Sequence, residues 1–107
     1  MNLNDYQKAC SKTASSETKL QGWTLGLCGE TGEFADIVKK HTEHGVNVLK
    51  NGKIVRDAMI EELGDVLYYL AVIADFIDVD LDTVAGINIA KLAARYPDGF
   101  RLGGGVR

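Results

Sequence analysis

Proline is the residue a helix tolerates least, and this chain of 107 residues places its one proline at Pro97, close to the end. Upstream of it, alternation of β-branched with polar residues is scarce, so strands have little to form from. Four helical segments are predicted instead. The first starts at Asn4, an N-cap residue type, and runs to Thr13 or Ser16, where the polar stretch 11–17 blurs its end. The second runs from about Thr18 to His44 and stops at Gly45, a residue suited to a helix C-terminus. Residues 46–55 follow, centred on Asn51-Gly52, and suit either a small hairpin with a tight Asn-Gly turn or a mobile loop. The third helix runs from about Arg56 to Asp78. The fourth starts after Asp80, a good N-cap, and ends before the breakers Tyr96-Pro97-Asp98-Gly99. The expected fold is therefore all-α, a compact four-helix-bundle-like domain over residues 1–100. Residues 101–107, with successive glycines, are expected to form a flexible tail.

A chain of this length holds one core, and a small one. Its net charge of −3, with no long basic run, argues against a protein that grips a nucleic acid polymer. The longest apolar run, residues 66–74, falls far short of the ~20 residues needed to span a bilayer. Met1-Asn2-Leu3-Asn4-Asp5 lacks the basic start and apolar stretch of a signal peptide, so a cytoplasmic protein with no membrane partner is expected. Cys10 and Cys28 form no CxxC pair and lie far along the chain from His41 and His44. They are expected as reduced thiols packed in helices, not as zinc ligands. Residues 66–74 are apolar nearly all round a helix, and such a helix must be covered on every side. Three short helices of one chain scarcely do that, so a homodimer or homotetramer is expected.

The residues that carry chemistry are acidic. Glu30 and Glu33 stand three apart on the second helix, and Glu62 and Asp65 three apart on the third, so each pair projects from one turn. At 100° per residue the first pair shares its face with Trp23, Gly26, Phe34 and Ile37, and the second with Tyr69, Ile73 and Phe76. Both pairs thus lie on otherwise apolar stripes. Burying four like charges needs counter-charge or protonation, and no matching lysines or arginines share those stripes. A hard divalent cation answers the need, and oxygen-only ligands suit Mg²⁺, with Mn²⁺ as a substitute. The competing expectation is that one pair simply faces solvent. Gly29, Gly32 and Gly64 adjoin the acids, each costing about 1 kcal/mol against alanine inside a helix. Close approach of a ligand and close helix packing both account for them. Trp23 is expected in the core or an oligomer interface rather than against a base. Lys50, Lys53 and Arg56 are expected on a solvated loop, while Lys91 and Arg95, one turn apart, suit a cationic edge.

Gly29-Glu30-Thr31-Gly32-Glu33, followed by Glu61-Glu62-Leu63-Gly64-Asp65-Val66-Leu67-Tyr68-Tyr69-Leu70, resembles the ExxE…ExxD signature of MazG-like nucleotide pyrophosphohydrolases. These belong to the all-α NTP pyrophosphatase superfamily. Asn88-Ile89-Ala90-Lys91 and Arg95-Tyr96-Pro97-Asp98-Gly99-Phe100 look like that family's closing helix and turn, so the resemblance covers residues 22–100. It implies that Glu30, Glu33, Glu62 and Asp65 are the metal ligands and catalytic acids. It implies that Asn88 and Lys91 contact the nucleotide or its phosphates, with Arg95 beside Lys91 as a further substrate-binding candidate on the cationic edge. It also implies a magnesium-dependent enzyme that cleaves a nucleoside triphosphate to monophosphate and pyrophosphate, as nucleotide-pool housecleaning. Two other functions stay open. One is a specialised relative acting on phosphoribosyl-ATP, dUTP or dCTP, and the other a non-enzymatic helical dimerisation module.

Overall fold

A computed structural model of the chain describes residues 1–15, 17, 19–43 and 52–99. They form α1 (Leu3–Ser11), α2 (Leu20–Glu43), α3 (Gly52–Phe76) and α4 (Leu81–Arg95), so the all-α expectation holds. The cap of α1 is Asn2 rather than Asn4. The Asn2 side chain accepts from the Asp5 backbone N–H at 2.8 Å, while Asn4 Oδ1 accepts from the Asp82 backbone N–H at 3.1 Å. Asn4 was available to either role, and a contact distant in sequence took it. The helix ends at Ser11, earlier than Thr13. Ser11 Oγ donates to the Lys8 carbonyl at 2.7 Å and Thr13 Oγ1 to that of Cys10 at 3.1 Å, satisfying carbonyls that further turns would have used.

The Asn51-Gly52 hairpin needs correction. Residues 52–55, assigned above to the connection, are the first turn of α3. There glycine leaves a backbone N–H that has no partner within the helix in any case. Residues 44–51, with the proposed stop at Gly45, lie outside the described residues, as does the tail 100–107. At its other end α3 stops at Phe76, short of Asp78. The Val79 N–H bonds to the Ala74 carbonyl at 3.0 Å and the Asp78 N–H to that of Asp75 at 3.1 Å, with Asp78 at φ 63°. This is the Schellman pattern, here with aspartate in the left-handed position that glycine usually fills. Asp80 then caps α4 as expected, its Oδ1 accepting from the Thr83 N–H at 2.8 Å.

α2 and α3 run antiparallel. Trp23 meets Phe76 edge-on at 5.6 Å, Gly26 faces Tyr69, and Glu30 lies level with Glu62 and Asp65. The buried core is thin: Cys10, Ala71, Val72, Ala74 and Leu81, flanked by half-buried Tyr6, Ala14, Trp23, Tyr68, Tyr69 and Val79. Trp23 therefore does core work, as expected. Cys28, expected to pack within the helices, is exposed, and both cysteines are free.

Besides the Asn4–Asp82 bond, one buried side chain locks α1 on. Buried Gln7 donates through Nε2 to the carbonyls of Ala71 (3.3 Å) and Val79 (3.0 Å), and Oε1 accepts from the Leu81 N–H at 3.0 Å. It joins three elements and satisfies the polar groups their junction would otherwise bury unpaired.

Among the described residues, the opposite side of α3 is left uncovered. Leu67, Leu70, Ile73, Ile77, Val84 and Asn88 line a groove of about 390 Å³ between α3 and α4, and beyond it Leu63 is 52% and Ile87 65% exposed. No helix among the described residues is long and apolar enough to cross a membrane.

A β-carbon at Gly26 would lie 2.5 Å from the Tyr69 ring, a distance packed atoms do not adopt. Gly26→Ala is expected to destabilise the fold by about 1–3 kcal/mol through overpacking. In a Tyr69→Leu background the same substitution should cost much less. Thermal melts of the four proteins measure this coupling, and equal costs in both backgrounds would contradict the contact.

Candidate metal centre

The acidic pairs meet where α2 and α3 cross at their middles. One carboxylate oxygen from each of Glu30, Glu62 and Asp65 lies within 4.8 Å of the other two. Glu33 stays outside that trio and is exposed, yet its carboxylate bears on Glu62 by charge and by hydrogen bonding. The i, i+3 spacing brings each pair to one turn, and the antiparallel pairing of the helices brings the turns together.

Glu30 and Glu62 are half-buried, and among the described residues each has one carboxylate oxygen, Oε2 in both, sealed from solvent without a hydrogen-bond partner. Buried oxygens left in this way are costly and rare in folded proteins. Among the described residues, the groups acting on Glu62 disfavour its ionised form, and none of them is a cation. The hydrogen bond with Glu30 contributes most, then burial, then the charges of Glu33 and Glu30, so that its pKa is pushed up to about 7. Converging carboxylates with orphaned oxygens, and no lysine or arginine beside them among the described residues, suit a hard divalent cation. The donor set is all oxygen, and partial exposure of Asp65 and Glu33 leaves a side open to a ligand.

Packing among the described residues does not explain the flanking glycines. A β-carbon at Gly29, Gly32 or Gly64 would meet nothing within 4 Å. Gly26, which the motif does not contain, is the one held by a neighbouring ring.

Asn88, Lys91 and Arg95 are not brought against α2, the helix of Glu30 and Glu33. They sit on α4, which touches α1 and α3 but not α2. Asn88 lines the apolar groove, Lys91 is exposed and Arg95 half-buried. Of the basic residues around the Asn51-Gly52 turn, Lys53 and Arg56 belong to α3, and Lys50 lies outside the described residues.

One residue beside the site went unnoticed in the sequence. Tyr6 of α1 is half-buried, and its hydroxyl shares a hydrogen bond with the Cys10 thiol, close enough to Asp65 to respond to its charge. Burial, that hydrogen bond and the charges of Cys10, Asp65 and Tyr68 push its pKa up to about 12, so the phenol keeps its proton. Tyr6 and Cys10 stand one turn apart, but only the docking of α1 reveals their neighbour.

Comparison with known proteins agrees with this geometry. The family model of the MazG nucleotide pyrophosphohydrolase domain matches residues 18–100. The chain is also similar to Gene 37 protein of Mycobacterium phage L5, at 39% identity, with 98% of this chain and 97% of the relative covered.

The protonation of Glu62 gives a pH signature. Its folded pKa of about 7 exceeds the ordinary 4.5, so between those values the folded state binds more protons than the unfolded one. Stability of the metal-free protein is expected to fall as pH rises through that window and to level off above it. Mg²⁺ should offset the loss, since an ion that binds only the folded state at about 100 times its dissociation constant adds roughly 2.7 kcal/mol. Melts in EDTA from pH 5 to 8 check this, with Glu62→Gln expected to flatten the profile. An unchanged slope in that variant would contradict the coupling.

Proposed function

The chain belongs to the MazG nucleotide pyrophosphohydrolase family, and on that premise we propose that it is a magnesium-dependent nucleoside triphosphate pyrophosphohydrolase. Its reaction releases nucleoside monophosphate and pyrophosphate. The observation that carries this reading is the pair of buried, partnerless oxygens on Glu30 and Glu62, converging with Asp65. A helical dimerisation module has no use for them, because solvated or apolar residues at those positions would be more stable.

Glu30, Glu62 and Asp65 hold the ion, for which Mg²⁺ is the natural choice and Mn²⁺ a substitute. When bound, the cation neutralises triphosphate oxygens and withdraws electron density from phosphorus. Glu33, exposed and outside the trio, is free to accept a hydrogen bond from the attacking water and take its proton. Water oxygen bonds to the α-phosphorus, and the bond to the bridging oxygen breaks. The electron pair leaves with pyrophosphate. Asn88, Lys91 and Arg95 supply donors and positive charge to the nucleotide. Because α4 does not touch α2, they do so across an interface between copies of the chain. The uncovered groove between α3 and α4 supports such a homodimer or homotetramer.

The test is a panel of ribo- and deoxynucleoside triphosphates, with dUTP, dCTP and phosphoribosyl-ATP included to separate a housecleaning enzyme from a specialised one. Chromatography should find monophosphate and pyrophosphate, formed only with Mg²⁺ or Mn²⁺. Diphosphate with orthophosphate as main products would refute the assignment. Glu62→Gln and Asp65→Asn are each expected to lose at least about 100-fold in turnover, since even partners of metal ligands cost 10–100-fold. Their circular dichroism should stay helical. Wild-type rates in both would remove the metal-site reading, and light scattering showing a stable micromolar monomer would remove the shared site.

A further inference from the structure

The acid site opens toward solvent on the side where Glu33 and Asp65 are exposed. A triphosphate held there through its α-phosphate carries further negative oxygens past the ion, and they need donors of their own. The lysines and arginines of α2 and α3 are Lys39, Lys40, Lys53 and Arg56, all at the end of the pair where α2 finishes and α3 begins. At 100° per residue Lys40 shares the face of Glu33, whereas Lys39 stands about a third of a turn away. Arg56 falls on the opposite side of α3 from Asp65. Of the described side chains among them, Lys40 is the one on the open side. It also reaches back toward the acids. Its Nζ lies 2.8 Å from Oδ2 of Asp36, one turn of helix nearer to Glu33. By helical rise Asp36 stands about 9 Å along the axis from Glu30 and about 4.5 Å from Glu33. A gap of that size suits the phosphates beyond the one at the ion. Among the described residues the ammonium has no second partner, so two of its three N–H groups stay open to a ligand. The two side chains are 67% and 53% exposed, and an ion pair so open to water adds little to stability.

We propose that Lys40 binds the terminal phosphate of the substrate and thereby selects triphosphates over diphosphates. Asp36 is its positioning residue, keeping on the acid side an ammonium whose long stem would otherwise sample solvent freely. When the triphosphate enters, a phosphate oxygen accepts from the N–H groups that Asp36 leaves open. The bond that breaks lies between the α- and β-phosphates, so negative charge grows on the departing pyrophosphate. A cation at its far end stabilises that charge as it develops. The opposite end of the helix pair offers no such contact. It is closed by Trp23 against Phe76, and neither helix carries a lysine or arginine there.

The inference rests on the hydrolase reading of the same site, and its test separates the two. The measurements are kcat/KM for the best triphosphate of the panel and the inhibition constant of the diphosphate of the same nucleoside. Lys40→Ala should lower kcat/KM about 10-fold, the low end for a lost hydrogen bond to a charged group, and leave the diphosphate constant unchanged. Lys40→Arg should recover most of the loss, and the melting temperature in EDTA should not move in either variant. Asp36→Asn should give a smaller loss, and none in the Lys40→Ala background. An equal effect of Asp36→Asn with and without Lys40 would remove its positioning role. Unchanged kcat/KM in Lys40→Ala would overturn this inference alone. So would a diphosphate constant weakened in the same ratio, because the lysine would then act on any anion. Wild-type protein that hydrolyses no triphosphate would overturn both readings.

Discussion

Two carboxylates facing each other across a helix pair cannot both stay ionised and dry without something positive between them. Glu30 and Glu62 are in that position, each with an oxygen sealed from water and unbonded. Without a cation the arrangement survives by holding a proton, which is why Glu62 titrates so far above an ordinary glutamate. The apolar stripes on α2 and α3 bring the acids into this conflict, because burying Trp23, Gly26 and Tyr69 against the facing helix carries Glu30 and Glu62 inward with them. A fold optimised only for stability would not keep them there. The cost is understandable if a divalent ion and a triphosphate occupy the space in the working state.

The same helices show that the chain does not complete its own core. Among the described residues no large side chain is fully buried, and the most buried ones are small or medium in size. α3 is walled by α2 on one side and α1 on another, while its third side opens into the groove shared with α4. An apolar helix face left in water is unfavourable, and a second copy is the partner always available to a homo-oligomer. That assembly would also bring the cations of α4 near the acids of α2, a helix that α4 of the same chain does not touch.

The chemistry of this chain was more legible in its sequence than its joints were. The i, i+3 spacing of the acids and the apolar residues beside them put Glu30, Glu33, Glu62 and Asp65 on core-facing stripes, because helical periodicity is a local property. Only the packing of α2 on α3 decides which meet: Glu30, Glu62 and Asp65 do, and Glu33 does not. Asp80 was legible as a cap for the same reason. Asn4 was the expected cap of α1, but its side chain bonds instead to the start of α4, and Asn2 takes the capping role. Asn51-Gly52 suggested a turn, yet Gly52 begins a helix, since propensity at one dipeptide yields to what the following residues can bury. Gln7 and Tyr6 were invisible because their partners lie at the far end of the sequence, and no spacing rule reaches that far. Asp78 hid the end of α3, standing where glycine would have announced it.

A metal shared by Glu30, Glu62 and Asp65 is the claim on which the account depends, and crystals grown with Mn²⁺ would test it most directly. Data collected at the manganese absorption edge should give an anomalous peak between those three side chains, with the Oε2 atoms of Glu30 and Glu62 among its neighbours. A map with no peak there, and both glutamates bonded to a lysine, an arginine or another protein donor of an assembled oligomer, would contradict it.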